Sequence, residues 1–125
     1  MTHRILLVED DPDVREVLAC VLTNDGHTVV TANDGNGGLR VLEAETVDLI
    51  VTDVIMPDME GIQFLRLLRR MPTRPKVIVI SGGGRGSANG YLELATTLGA
   101  DGTLPKPIAA TDLRDLIAHV MNEPS

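Results

Sequence analysis

Aromatic residues, cysteines and excess positive charge are all scarce in this 125-residue sequence. It has one Phe, one Tyr and no Trp, so any hydrophobic core has to be built from aliphatic side chains. The single cysteine, Cys20, excludes an internal disulfide and is typical of a reducing compartment. The net charge of −7 argues against a nucleic-acid-binding or anionic-membrane surface, because both need clustered Lys and Arg.

Long hydrophobic runs are also absent. No apolar run reaches the ~20 residues of a membrane-spanning helix, and the one near the N-terminus is too short, and too soon acidic, for a secretory signal. With 43% apolar residues, a chain of this length can bury roughly two-thirds of its unfolded surface in one domain. The sequence therefore predicts a soluble, cytoplasmic, single domain over residues 1–125, without an output domain.

Five short apolar runs recur, and they are continuous rather than alternating. They cover residues 4–9, 27–32, 48–53, 76–81 and 102–105. Continuous runs are typical of strands that are buried on both faces of a parallel sheet. Segments with helical periodicity separate them, namely a segment after Pro12 and residues 34–45, 59–70, 88–98 and 111–120. The pattern predicts an α/β fold, a (βα)₅ doubly wound sheet covered by helices.

The first helix has the clearest start and stop signals. Asp11 and Pro12 suit its N-cap and first turn, and Gly26 suits its C-cap. The apolar residues between them recur at helical spacing, which predicts that all of them face the core: Val14, Val17, Leu18, Val21 and Leu22.

Polar side chains stand where four of the predicted strands end, and they are Glu9-Asp10-Asp11, Asp53, Ser81 and Lys106. In a doubly wound parallel sheet these ends share the edge at which ligands bind. Crowded carboxylates suit Mg²⁺, a carboxylate can attack phosphorus, and an ammonium can neutralise the charge of a transferring phosphoryl group. Any one strand-end Asp is typical of a turn or a cap, but their joint placement favours one site.

The order of these motifs resembles a known family. The segments ILLVEDDPDVREVL, DLIVTDVIMPDMEG, VIVISG and GADGTLPKP are similar to the successive signatures of the response-regulator receiver domain of two-component signalling. The resemblance covers the whole chain. It implies a CheY-like, flavodoxin-like fold with strand order 2-1-3-4-5 and a phosphorelay switch that is not an enzyme beyond its own phosphoryl transfer and autodephosphorylation.

The resemblance also implies a role for each site residue. Asp53 matches the phosphorylated aspartate, and Mg²⁺ would be held by Glu9, Asp10, Asp53 and the backbone carbonyl of Ile55. Ser81 matches the switch hydroxyl, and Lys106 matches the lysine that contacts the phosphate, with a cis bond to Pro107. A histidine kinase or phosphotransfer protein would be the phosphodonor, and the face formed by residues 88–98, 102–105 and 111–120 would bind an unknown downstream protein or a second copy.

Two features depart from the family pattern. Thr103 takes the position of the usual aromatic switch residue, so the readout has to be built differently. The segment 81–90 is glycine-rich; it lacks the register and the Lys-Ser/Thr of a nucleotide-binding loop, which favours a flexible connector.

Two other functions remain open on the residues alone. One is a Mg²⁺-dependent phosphatase with an aspartyl nucleophile, although Ile55 stands where such enzymes carry a general acid. The other is an interaction module that never needs phosphate. Elsewhere, the three histidines show no metal-ligand spacing, and the basic group of Arg66, Arg69, Arg70 and Arg74 is interpreted as a solvated face rather than a phosphate site.

Overall fold

The computed structural model describes residues 2–53, 60–71, 74–81, 96 and 99–122, with the backbone alone at 60–62 and 81. Five strands form one parallel sheet in the spatial order β2-β1-β3-β4-β5. They are β1 Arg4–Val8, β2 Thr28–Ala32, β3 Leu49–Asp53, β4 Lys76–Ser81 and β5 Gly102–Pro105. The predicted fold class and strand order are confirmed, and β1 ends one residue earlier than predicted.

Four helices are described in these parts of the chain: α1 Pro12–Asn24, α2 Gly35–Ala44, α3 Glu60–Arg69 and the C-terminal helix Ala110–Asn122. None of the described helices is both long and apolar enough to span a membrane. The helix predicted over residues 88–98 lies outside the described residues, apart from residue 96.

The helices cover both faces of the sheet. Leu18 and Leu22 of α1 and Leu113 and Ile117 of the C-terminal helix pack on one face. On the other face, α2 and α3 contribute Leu39, Leu42, Phe64, Leu65 and Leu68. Successive residues of a strand point to opposite faces, so β1 and β3 are buried on both sides. Burial on both faces explains why the apolar runs in the sequence are continuous rather than alternating.

Helix α1 begins as predicted, and its C-cap is Asp25, one residue before the predicted Gly26. The Asp11 side chain caps it by accepting hydrogen bonds from the backbone N–H groups of Asp13 and Val14 at 2.9 and 3.3 Å. Gly26 follows the helix with a φ of +94°, in the left-handed region that favours glycine.

The prediction that Val17 faces the core is wrong, since 61% of this residue is exposed. The buried stripe of α1 is centred on Leu18 and Leu22. Val17 precedes Leu18 and is rotated about 100° from it around the helix axis, which places it beyond the part of α1 that the sheet covers. It lines an open groove instead.

Two histidines meet at the edge of the sheet where β1 and β2 begin. Their rings stack with centroids 5.6 Å apart, and the His3 backbone N–H donates to His27 Nδ1 at 3.0 Å. Arg114 of the C-terminal helix and Asp25 of the α1–β2 turn form an ion pair in the same region. Burial lowers the pKa of His27, and the neighbouring His3 lowers it further, against the opposing effect of Asp25.

We expect His27 to make the protein less stable in mild acid. Because its pKa in the folded state is lowered, the unfolded chain binds more protons below the ordinary histidine pKa of about 6.5. The stability is therefore complete above that pH and falls as the pH drops through 6.5 toward the lowered value. The variant His27→Asn has a side-chain oxygen that can accept the His3 N–H. Its free energy of unfolding, measured by urea denaturation, should fall less steeply between pH 7 and 5 than that of the wild type. Equal slopes for the two proteins would contradict this expectation.

Candidate functional site

Glu9 is a buried carboxylate directly after β1. Its backbone N–H donates to the Ala32 carbonyl at 3.1 Å, and its own carbonyl accepts from Arg15 Nη1 at 2.9 Å. The side-chain Oε2 accepts the backbone N–H of Asp11 at 3.1 Å. The residue is 0% exposed. These bonds fix the carboxylate at the carboxyl edge of the sheet, beside the end of β3.

Asp53 is the last residue of β3 and is 3% exposed. It pairs with Ile80 of β4, and apolar residues precede it in the strand. A carboxylate in such surroundings needs a charged or hydrogen-bonding partner, because burial of an unpaired charge is costly. The apolar strand thus presents a single reactive group at its carboxyl end.

Lys106 joins the two buried carboxylates. Its Nζ lies 2.7 Å from Glu9 Oε1 and 2.8 Å from Asp53 Oδ2. The Lys106–Pro107 peptide bond that leads away from the site is cis, as the sequence predicts. The Lys106 side chain is 21% exposed, so one ammonium group contacts both acids while it remains within reach of solvent.

The pKa values reflect this crowding. Desolvation raises the pKa of Glu9, and the charge of Asp53 raises it further, although the close contact with Lys106 and the hydrogen bond from Asp11 oppose the change. Burial alone would lower the pKa of Lys106, but the two carboxylates outweigh it and leave its pKa raised. The ammonium form of Lys106 is therefore held firmly at neutral pH.

Asp10 completes an acidic cluster. Glu9, Asp10 and Asp53 each offer a carboxylate oxygen, and these oxygens lie within 4.8 Å of one another. Against three carboxylates the site holds the single ammonium of Lys106. Glu9 Oε1 has only the ion pair with Lys106 and, among the described residues, no donor with hydrogen-bond geometry. The cluster could hold a metal ion through hard oxygen ligands.

The other predicted site residues are described less completely. The Ser81 backbone ends β4 opposite Pro105, at the same edge of the sheet. Thr103 is half-buried and pairs with Val79, a residue of the core under α2 and α3. Ile55 and the glycine-rich segment 82–90 lie outside the described residues.

An apolar groove beside the site has no counterpart among the sequence predictions. It measures about 430 Å³ and is lined by Asp13, Val14, Val17 and Leu18 of α1 and by Lys106, Pro107 and Ile108. Lys106 thus lines the groove and also contacts Asp53. The signal that could have revealed the groove is weak, because Val17 has the same helical spacing as the inward-facing residues.

Comparison with known proteins gives a consistent result. The profile of the family described as "Response regulator receiver domain" matches residues 5–118. The transcriptional regulatory protein GlrR of Escherichia coli is 38% identical over 98% of this chain, and AfsQ1 of Streptomyces coelicolor is 35% identical over 94%. The chain spans 28% and 50% of the length of these two relatives.

Solved structures agree with the sequence comparison. The structure of a response regulator, described as a signal receiver domain, from Bermanella marisrubri superposes with a TM-score of 0.86 at 31% identity. It covers 95% of this chain, and the chain covers 98% of it. The whole described sheet with its flanking helices therefore has a close structural counterpart.

Proposed function

The chain belongs to the response regulator receiver family, and from that premise we propose that it is a switch in which Asp53 accepts a phosphoryl group from a histidine kinase or a phosphotransfer protein. Receiver domains of two-component systems are signalling switches rather than enzymes in the usual sense. The observation that carries the proposal is the contact of Lys106 Nζ with both Glu9 and Asp53, beside the carboxylate of Asp10.

The charges of this cluster fit a divalent cation. Three carboxylates and one ammonium leave an excess of about two negative charges when all four groups are ionised. The acidic oxygens are hard ligands of the kind that Mg²⁺ prefers. We propose that Glu9, Asp10 and Asp53 hold Mg²⁺ with the backbone carbonyl of Ile55. When bound, the ion supplies positive charge to the phosphoryl oxygens.

The proposed reaction uses the Asp53 carboxylate as a nucleophile. An oxygen of Asp53 forms a bond to phosphorus while the P–N bond of a phosphohistidine donor breaks, and that electron pair returns to the donor imidazole. Lys106 already donates to Asp53 Oδ2. Its other N–H groups can turn to the incoming phosphoryl oxygens, so the ammonium exchanges one anionic partner for another without leaving the site.

The readout follows from the position of the next strand ends. The phosphoryl group adds about −1.5 to −2 charges at the carboxyl edge. We propose that the Ser81 hydroxyl donates a hydrogen bond to it, which draws the end of β4 toward Asp53. Ser81 is paired with Pro105 of β5, so β5 and Thr103 would respond, and a partner protein that prefers this arrangement would bind more tightly.

The test of this function is phosphate uptake from a small phosphodonor with Mg²⁺ present. Uptake by the wild type that is lost in Asp53→Asn supports the proposal. Equal uptake by both proteins overturns it. A cytoplasmic location and the downstream partner remain part of the proposal.

The apolar groove gives the proposal a second test. We propose that the phosphodonor protein seats an apolar side chain there, because the groove is continuous with the phosphoacceptor site through Lys106. Val17→Glu puts a charge into the groove and should slow transfer from a donor protein by about tenfold or more. Uptake from acetyl phosphate should be unchanged, because that donor needs no protein contact.

Ala44→Glu is the matched control for this variant. Ala44 is exposed and lies at the end of α2, on the opposite face of the sheet from α1. It should leave transfer from the donor protein at the wild-type rate. If Val17→Glu slows phosphate uptake from acetyl phosphate as much as it slows transfer from the donor protein, then Val17 acts on the chemistry and not on docking.

A further inference from the structure

The end of α3 has an unusual charge distribution. Residues 61–92 contain six of the eleven cationic residues of the chain and none of its 18 acids. Four of the six are arginines at the end of α3 and in the α3–β4 loop: Arg66, Arg69, Arg70 and Arg74. We call these four the arginine surface. It contrasts with the rest of a chain whose net charge is −7.

The arginine surface makes no ion pair with the described residues, although Arg74 lines a cavity together with Glu45 and Asp48. All four side chains are exposed, and no carboxylate of the described residues lies within ion-pair distance of any of them. Arg4 and Arg114, by contrast, pair with Glu45 and Asp25. A solvated face accounts for exposure, but it does not account for the way in which these arginines are arranged.

Two of the arginines converge on one glycine. A Cβ built on Gly99 would lie 2.9 Å from Arg74 Nη1 and 3.7 Å from Arg69 Cδ. The φ of Gly99 is +103°, which favours glycine as well. The side chains of two arginines from different elements thus approach one turn, and neither forms an ion pair with an acid of the described residues. Guanidinium groups are planar forks that suit carboxylate or phosphate oxygens.

The other two arginines lie beside an exposed leucine. Leu67 and Val17 are the large hydrophobic residues that stand exposed in the described parts of the chain. Phe64, Leu65 and Leu68 form the buried side of α3. At about 100° per residue, Arg66 and Arg70 project from the opposite side, and Leu67 lies next to Arg70 on one flank of that exposed face. Exposed apolar area beside cations offers a partner both a charged and a hydrophobic contact.

We propose that the arginine surface and Leu67 bind an acidic, amphipathic segment of another protein, with an apolar side chain of that segment on Leu67. Its carboxylates would pair with Arg66 and Arg70, and further acids would reach Arg69 and Arg74. The negative charges elsewhere on the chain are screened beyond about 8 Å at physiological salt. This inference makes no use of Asp53 and goes beyond the proposed function.

Leu67 favours a protein over a nucleic acid as the partner. Phosphates would use the guanidinium groups, but an exposed leucine beside Arg70 offers them nothing. A second copy is also disfavoured. The acids that flank the other exposed hydrophobic, Val17, lie on α1 across the sheet from α3. Such a contact would be head-to-tail and would grow into open chains unless it closed into a ring.

The test is a titration of the ¹⁵N-labelled protein with a synthetic helical peptide that carries a central leucine flanked by glutamates. We expect amide shifts in α3 and at Gly99. The double variant Arg66→Gln/Arg70→Gln should weaken binding by about tenfold, and Leu67→Gln should weaken it several-fold. Arg40→Gln, which removes an exposed arginine of α2, is the matched control and should bind as the wild type does.

Four results would overturn the proposal. The first is that the protein does not bind the peptide at millimolar concentration. The second is that it binds equally well to a peptide whose central leucine is replaced by glutamine. The third is that it binds a double-stranded oligonucleotide more tightly than the peptide at the same salt concentration. The fourth is sedimentation of the wild type as a dimer or chain that Arg66→Gln/Arg70→Gln dissociates, since a second copy would then be the occupant.

Discussion

Asp53→Asn is expected to take up no measurable phosphate from acetyl phosphate and Mg²⁺, whereas the wild type takes up one phosphoryl group per chain. The amide of asparagine is a far poorer nucleophile than a carboxylate, and the geometry of the site is otherwise retained. The initial rate of phosphate uptake should fall by at least about a hundredfold. Any residual uptake by the variant would occur on carboxylates outside the site, which lack the positioning that Lys106 and the cluster provide. Intact-mass spectrometry measures the result.

The stability of the product identifies its chemical class. An acyl phosphate on Asp53 should persist in acid and be lost in base. Asp13→Asn is the matched control, because Asp13 is an exposed acid of α1 outside the acidic cluster of Glu9, Asp10 and Asp53. It should take up phosphate as the wild type does. If it lost uptake as completely as Asp53→Asn, the acceptor would have to be sought elsewhere.

Much of the fold follows from local signals in the sequence. The continuous apolar runs predict strands that are buried on both faces, and parallel pairing brings their carboxyl ends to one edge. Glu9 and Asp53 could therefore be expected to lie near each other. The cap at Asp11 and the glycine at position 26 could also be predicted, because each depends on only a few neighbouring residues.

Contacts set by side-chain reach could not be predicted in this way. Lys106 has four flexible methylene groups, so its position in sequence does not show that its ammonium bridges Glu9 and Asp53. Val17 has the spacing of a core residue, and only the packed helix shows that it lies beyond the covered stripe.

The stacked histidines illustrate an overlooked signal. His3 and His27 are 24 residues apart in the sequence, and this spacing gives no sign that they are in contact. Each of them directly precedes one of two neighbouring strands, and Arg4 pairs with Thr28 in register. Once strand order and register are known, the contact between the two rings follows. Sequence spacing alone therefore underestimates contacts between residues that begin adjacent parallel strands.

Lys106→Met should lower the free energy of unfolding by about 2–3 kcal/mol at pH 7 without Mg²⁺. Breaking a buried ion pair by removing one partner costs about 3–5 kcal/mol, because the other charge stays buried. Here two carboxylates lose their cation, but the Lys106 side chain is 21% exposed, so solvent already screens part of the interaction. Urea denaturation of the two proteins in a chelating buffer measures the difference.

Added Mg²⁺ should stabilise Lys106→Met more than it stabilises the wild type. A ligand that binds only the folded state raises its stability by an amount that grows with the logarithm of its affinity. Without the ammonium, the carboxylates of Glu9, Asp10 and Asp53 would have no cationic side chain of the described residues among them. The variant should therefore bind the ion more tightly than the wild type.

Lys76→Met is the matched control, because it changes the only other lysine of the chain, at the opposite end of β4 from Ser81. Its stability should respond to Mg²⁺ as the wild type's does. If Mg²⁺ raised the stability of Lys106→Met no more than that of Lys76→Met, the ammonium of Lys106 and the metal ion would not share the same carboxylates. The proposed pocket would then have to be divided into two separate sites.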